Sequence, residues 1–139
     1  HMDAPEPYPI QGMRGPVLFI TNPYAGSDGD IITAAAQNLG LGPVVGERSW
    51  GGVIGTDGRF ELVDGTGVTQ PRYAFAFHRH GFGVENHGTD PDIEVPLGPS
   101  DWENGEDLQL DVAVDEALAR LEEKPAMTPP ELPPAAFLG

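Results

Sequence analysis

The sequence predicts an α/β fold, and three observations carry that expectation. The run Val17-Leu18-Phe19-Ile20 has the length and composition of a buried strand. A helical pattern follows from Asp28 to Leu39, closed by Gly40, and then comes Val44-Val45, a strand expected to lie parallel to the first. Several short strand-like segments then lead into a last helix at about Glu106–Glu123. A chain of 139 residues is short enough for one domain.

Each element has a local reason. The first 14 residues carry Pro5, Pro7 and Pro9 and no periodic pattern, so they read as an extended arm. His1-Met2 reads as an expression-vector remnant. The first strand is expected over Val17–Thr21, and Asn22-Pro23-Tyr24 turns the chain. In the helix Asp28–Leu39, the residues Ile31, Ile32, Ala35 and Leu39 fall on one apolar stripe. Its three consecutive alanines, Ala34–Ala36, would let it approach a sheet closely.

Gly46–Gly55 is glycine-rich around Trp50, with Gly51, Gly52 and Gly55 permitting backbone shapes that other residues avoid. Such a segment, Gly51-Gly52-Val53-Ile54, could let a ligand backbone approach, or could equally form a bulge or hairpin corner. It is no phosphate loop: no Gly-x-x-x-x-Gly-Lys-Ser/Thr occurs, and no lysine precedes Lys124. Asp57-Gly58 is a hairpin-turn signal, with short strands expected over Phe60–Val63, Gly67–Gln70 and Tyr73–Phe77. The last of these places Tyr73, Phe75 and Phe77 on one face. His78 and His80 share a strand face, but no third ligand sits at a natural spacing, so no metal site is expected.

Gly81–Gly88 reads as a polar-tipped loop, Ile93-Glu94-Val95 as a short strand between prolines, and Pro96–Asn104 as a connector. In the last helix, Leu110, Val114, Ala117 and Leu121 recur at helical spacing, widened by Leu108, Val112 and Leu118. From Pro125 the pairs Pro129-Pro130 and Pro133-Pro134 mark a polyproline or disordered tail that could dock on a neighbouring subunit. The expected division is therefore an arm over 1–14, a folded unit over 15–124 and a tail over 125–139.

Charge narrows the partners. The net charge of −15 opposes binding to nucleic acid and to anionic membrane surfaces. Thirteen of the 22 acidic residues lie between Glu85 and Glu123, where Arg120 is the only fixed positive charge. That acidity suits a solvated surface more simply than a docking face for a basic partner. No cysteine is present, which excludes disulfides and cysteine zinc sites and fits a cytoplasmic protein.

The chemistry centres on Tyr24-Ala25-Gly26-Ser27-Asp28-Gly29-Asp30, between the first strand and the first helix. A serine at a tight strand-to-helix turn holds its hydroxyl out of the sheet, with helix N–H groups beside it, as a nucleophile requires. Ser27 followed by Asp30 also fits a capping box, in which the hydroxyl only satisfies a free helix N–H. Spacing alone favours the cap. Three stretches together tip the reading: Gly26-Ser27-Asp28-Gly29-Asp30, Gly46–Gly55, and Val84-Glu85-Asn86-His87-Gly88 running into Asp90-Pro91-Asp92-Ile93-Glu94-Val95. In this order they resemble the C-terminal catalytic region of tricorn proteases, which belong with the tail-specific serine peptidases, over about Gly15–Glu123.

That resemblance implies a Clp/crotonase-like core built from strand–strand–helix turns. It implies a catalytic tetrad of serine, histidine, a helper serine and a glutamate. The nucleophile maps to Ser27, the glutamate to Glu85, and one oxyanion donor to the backbone N–H of Asp28. The substrate-binding segment maps to Gly51, Gly52, Val53 and Ile54. The resemblance further implies peptide substrates, no cofactor, hexameric assembly, and a propeller, a PDZ domain and the first half of the catalytic domain upstream. The histidine and its helper serine would lie in that upstream part. His87, two residues from Glu85, is the one histidine placed to complete a triad within this chain, and a loop histidine is the simpler reading. Without its base, Ser27 alone would be nearly inert, and a non-catalytic peptide-binding or oligomerisation module stands as the alternative. An acyl-CoA enzyme of the crotonase type would need basic residues for the phosphates, opposite to the charge found.

Overall fold

The structure, a computed structural model, describes residues 8–130, without the side chain of Trp102. His1-Met2, Pro5 and Pro7 of the arm, and the tail beyond Pro130 with Pro133-Pro134 and Phe137-Leu138, lie outside the described residues. Eight elements follow in order: β1 (Phe19–Thr21), α1 (Asp28–Leu39), β2 (Val44–Gly46), β3 (Gly55–Glu61), β4 (Gly67–Tyr73), β5 (Ile93–Glu94), α2 (Pro99–Asn104) and α3 (Leu108–Glu123).

The expected α/β arrangement is what forms. β1, α1 and β2 make a strand–helix–strand unit whose strands run parallel, with Phe19 opposite Val44 and Thr21 opposite Gly46. β5 joins the other side of β2, also parallel, giving the order β1-β2-β5. Both α1 and α3 pack on β1 and β2. Successive strand residues face opposite ways, so full burial of both Val44 and Val45 means that β2 is covered on both faces. Apolar residues without alternation are what such a strand requires.

α1 begins and ends where its sequence places it. Gly40, in the left-handed region, donates its N–H to the Ala36 and Gln37 carbonyls, and Leu41 also donates to Ala36. The buried face differs from the expected stripe. Asp30, Thr33, Ala34 and Ala36 are buried, whereas Ile32 and Leu39 are more than half exposed. The alanines decide this: the face with the smallest side chains packs closest, and Thr33 satisfies its hydroxyl internally on the Gly29 carbonyl at 2.6 Å. A cluster of Ala34, Val53 and Val84, flanked by Ile31, Phe75 and Phe77, joins α1 to the loops that follow β2.

α3 is capped by Asp107, whose side chain accepts the Leu110 N–H at 3.0 Å. Its inward face is Gln109 and Ala113, with Val112, Ala117 and Leu121 half-buried; the expected stripe residues Leu110, Val114 and Leu118 are about half exposed. Polar anchoring sets the rotation. Gln109 donates to the Val95 carbonyl at 2.9 Å and to Glu47 at 3.3 Å, and it lies against Gly46 at the end of β2.

Other boundaries shift for identifiable reasons. β1 is shorter than Val17–Thr21, and Ile20 is half exposed because β1 pairs only with β2 among the described strands. The hairpin turn is not at Asp57-Gly58, which lies inside β3, but at Asp64-Gly65. There Gly65 has φ 81°, Thr66 N–H donates to Asp64, and Leu62 N–H donates to the Thr66 carbonyl at 2.8 Å. Asp57-Gly58 instead sits at a register shift, with Asp57 accepting from the Arg59 N–H and facing Arg72. The third strand, Tyr73–Phe77, does not form: β4 ends at Tyr73, and Phe77 makes a single bridge to Gly81. Phe75 and Phe77 turn into the core cluster instead. The connector after β5 contains α2, opened by Pro99 at a first-turn position where its missing N–H costs nothing. No helix among the described residues is long and apolar enough to cross a membrane.

Burial makes the stability test sharp. Val45→Ala should cost about 2 kcal/mol, since it empties a fully covered position in the central strand. Val63→Ala, on the fully exposed hairpin tip, should change stability by less than about 0.5 kcal/mol. Urea unfolding of the two variants beside the wild type measures the difference.

Candidate active site

Ser27 is the residue immediately before α1 and is exposed. Its backbone has φ 56° and ψ −110°, a region that residues with a Cβ rarely occupy. Asn86, beside Glu85, is the other non-glycine residue with positive φ among those described, at 62°. Such conformations cost roughly 1–3 kcal/mol each and persist only where surroundings impose them.

Ser27 and Asp30 are arranged as a capping box, with the Asp30 N–H turned toward the Ser27 side chain, although that side of the box falls short of a regular cap hydrogen bond. The return half is the firm one: the Ser27 N–H donates to Asp30 Oδ2 at 2.9 Å. The Asp28 N–H, first in the helix, has no partner among the hydrogen bonds of the described residues. A hydroxyl-bearing residue and an uncommitted helix N–H thus sit side by side at the positive end of a twelve-residue helix.

The segment Gly51–Ile54 is fixed by two carboxylates. Asp30, with no exposed surface, accepts Gly51 N–H on Oδ1 at 2.8 Å and Gly52 N–H on Oδ2 at 3.0 Å. Glu85, half-buried, accepts the next two on one oxygen, Val53 N–H at 2.7 Å and Ile54 N–H at 2.9 Å. All four consecutive N–H groups are therefore committed to the protein's own side chains. The Gly51 carbonyl is committed as well, to the Asn86 N–H at 2.8 Å. A ligand at this segment would meet its side chains and its remaining carbonyl groups rather than N–H donors.

The three stretches singled out in the sequence thus meet in space. Trp50 N–H donates to the Ala25 carbonyl at 3.0 Å, and the indole lies over two glycines. A Cβ on Gly26 or on Gly52 would come to 2.5 Å from the ring, so a larger residue at either position would push the indole aside. Ser49 closes the far side: its hydroxyl accepts the buried Thr89 N–H at 2.8 Å, while Ser49 N–H donates to the Thr89 carbonyl. Under the whole assembly lies the Ala34–Val53–Val84 cluster.

Among the expected site residues, Ser27, Gly51 and Gly52 are joined through Asp30, Asp28 follows Ser27 directly in the chain, and Glu85 is joined to the same segment through Val53 and Ile54. His87 has another partner. Its Nε2 lies 2.8 Å from Asp90 Oδ2, in an exposed pair worth less than about 1 kcal/mol. No histidine of the described residues hydrogen-bonds Ser27. In the sequence, Asp30 stood out only as half of a cap, and Trp50 carried no role. The Gly-Ser-x-x-Asp spacing gave a signal for the first; nothing local could show that the indole covers Gly26, 24 residues earlier. A cavity of about 690 Å³ opens beside Trp50, Asn86 and His87, lined also by Glu47, Asp90 and Glu94.

The sequence model of peptidase family S41 matches residues 3–95. Tricorn protease homolog 1 of Streptomyces coelicolor is 60% identical over 129 residues, covering 93% of this chain and 12% of that protein. Tricorn protease of Thermoplasma acidophilum is 50% identical over 115 residues, covering 83% of this chain and 11% of that protein. A crystal structure of the tricorn protease superposes with a TM-score of 0.79 at 49% identity, over 84% of this chain and 11% of that one. The chain thus spans little more than a tenth of the length of these relatives.

One titrating group near these loops gives a pH test. Burial, and then the neighbouring Arg79 charge, hold the His80 imidazole below its ordinary value of 6.5, against smaller opposing effects of Asp90 and Asp92. A histidine depressed in the folded state binds protons more readily when unfolded. Stability should therefore be full above about pH 6.5 and fall as pH drops below it. Thermal melts from about pH 7.5 to about pH 5 should show this decline, and His80→Asn should flatten it.

Proposed function

The chain belongs to peptidase family S41, and on that premise we propose that it supplies the nucleophile-bearing, C-terminal part of a serine endopeptidase acting on peptides in the cytoplasm. The observation that carries this reading is Ser27 itself: exposed, held at φ 56° on a strand-to-helix turn, beside an Asp28 N–H with no partner among the described residues. A mere N-cap serine would have no need of that backbone conformation.

In the proposed reaction a base takes the Ser27 hydroxyl proton as the oxygen attacks the substrate carbonyl. The tetrahedral oxyanion is held by the Asp28 N–H with a second donor. Collapse expels the amine, which receives the proton, and water then hydrolyses the acyl-enzyme to regenerate the serine. Glu85 serves as the acidic member of the constellation. Its Oε2 is anchored on the Val53 and Ile54 N–H groups, and Oε1, with no hydrogen bond among the described residues, is left for the rest of the tetrad. Trp50, Val53 and Ile54 would border the substrate. We place the general base on a histidine of polypeptide preceding this segment, in line with His87 pairing with Asp90 rather than with Ser27.

The full-length peptidase should cleave a fluorogenic peptide, and Ser27→Ala should lower kcat by about a thousandfold or more. The 139-residue chain alone should show little turnover. Clear Ser27-dependent cleavage by the isolated chain would place the base within it.

We further propose that the protein assembles as a homo-oligomer, a hexamer when full length, with the half-exposed Leu110, Val114 and Leu118 of α3 in a subunit contact. Val114, the middle residue of the three, is the one to change, and Val114→Glu tests the contact. Light scattering on the full-length protein should show a smaller particle for that variant, and an unchanged mass would remove α3 from the interface.

A further inference from the structure

We propose that Asp30 is a positioning residue for the reaction, fixing Ser27 against the Gly51-Gly52 backbone; the proposal rests on the peptidase reading above. Three features separate it from an ordinary helix-capping carboxylate. It is fully buried, whereas a capping carboxylate at the third helical position is normally solvated. Its partners are three backbone N–H groups, of Ser27, Gly51 and Gly52, and it forms no salt bridge among the described residues. One oxygen, Oδ2, is shared by Ser27 N–H at 2.9 Å and Gly52 N–H at 3.0 Å, so a single atom sets the distance between the serine turn and the loop 25 residues later.

The geometry explains how the unusual conformation of Ser27 persists. The Ser27 N–H belongs to the peptide plane entering the residue, and fixing that plane restrains φ. Release of the bond would let Ser27 relax toward an ordinary helix N-cap, turning the hydroxyl and the Asp28 N–H away from their relative positions. Asparagine cannot replace the carboxylate here. Its amide offers one acceptor oxygen, and in either orientation its NH₂ would face at least one of the three backbone donors. The neighbouring Glu85 holds the next two N–H groups but reaches neither Ser27 nor Gly51 in the observed hydrogen bonds, so it cannot substitute.

The test uses the full-length peptidase with Ser27→Ala, Asp30→Asn, Asp30→Glu and Ala36→Gly. Ala36 is buried in α1 away from the site, and its glycine variant weakens the same helix without touching the serine turn. Steady-state kcat and KM on a fluorogenic peptide are measured with the rate of fluorophosphonate labelling, at temperatures where near-ultraviolet circular dichroism shows each variant folded. For Asp30→Asn, kcat and labelling should both fall about 10–100-fold, with KM within about twofold of wild type, while Ala36→Gly keeps wild-type kcat. Asp30→Glu keeps the charge but displaces the oxygens. It should fall in the same two readouts by less, and it serves as the deciding variant if the asparagine protein does not fold. A folded Asp30 variant with kcat and labelling no lower than those of Ala36→Gly overturns the positioning role. A wild type that cleaves nothing, or a Ser27→Ala protein that still cleaves, overturns the peptidase reading and this proposal with it.

Discussion

A single buried carboxylate holds this molecule's candidate site in register. Asp30 takes N–H groups from both sides of the gap between the serine turn and the Trp50–Ile54 loop. The Gly51 N–H is buried, and left without a partner it would cost about 1–3 kcal/mol, more than a surface ion pair contributes. The exposed His87–Asp90 pair, though short at 2.8 Å, is screened by water and constrains far less.

The rest of the fold can be understood as what brings that carboxylate to its partners. β1 delivers the chain to the turn, and the small residues of α1 let the helix lie close enough on β1 and β2 for Asp30 to become fully buried. The Ala34–Val53–Val84 cluster then fixes the two loops, since Val53 follows Gly52 and Val84 precedes Glu85. Apolar packing sets the approach of the loops, and the two carboxylates set their fine alignment by consuming four consecutive N–H groups. Glu85 and Asp30 are thus equivalent in kind but differ in burial, and only Asp30 also reaches the serine.

Strain is confined to the same place. Among the described non-glycine residues, only Ser27 and Asn86 have positive φ, and each is tied by its own N–H, to Asp30 and to the Gly51 carbonyl respectively. The irregularity of the hairpin β3–β4 at Asp57-Gly58, by contrast, is absorbed locally by Arg59 and Arg72.

The sequence by itself determined the strand–helix–strand unit, the limits of α1 and the three glycine- and acid-bearing stretches, because these are written in local signals: apolar runs, a cap glycine, turn residues. It could not decide which of two Asp-Gly pairs turns the hairpin, because both carry the same local preference and only cross-strand register distinguishes them. Nor could it rotate α3, whose apolar residues cover more than one face; Gln109 settles that through bonds to Val95 and Glu47. Tertiary structure alone decided that Asp30 reaches past its own helix to Gly51 and Gly52, and that His87 turns to Asp90. Hydrogen bonds between residues distant in the chain depend on packing that no periodicity encodes.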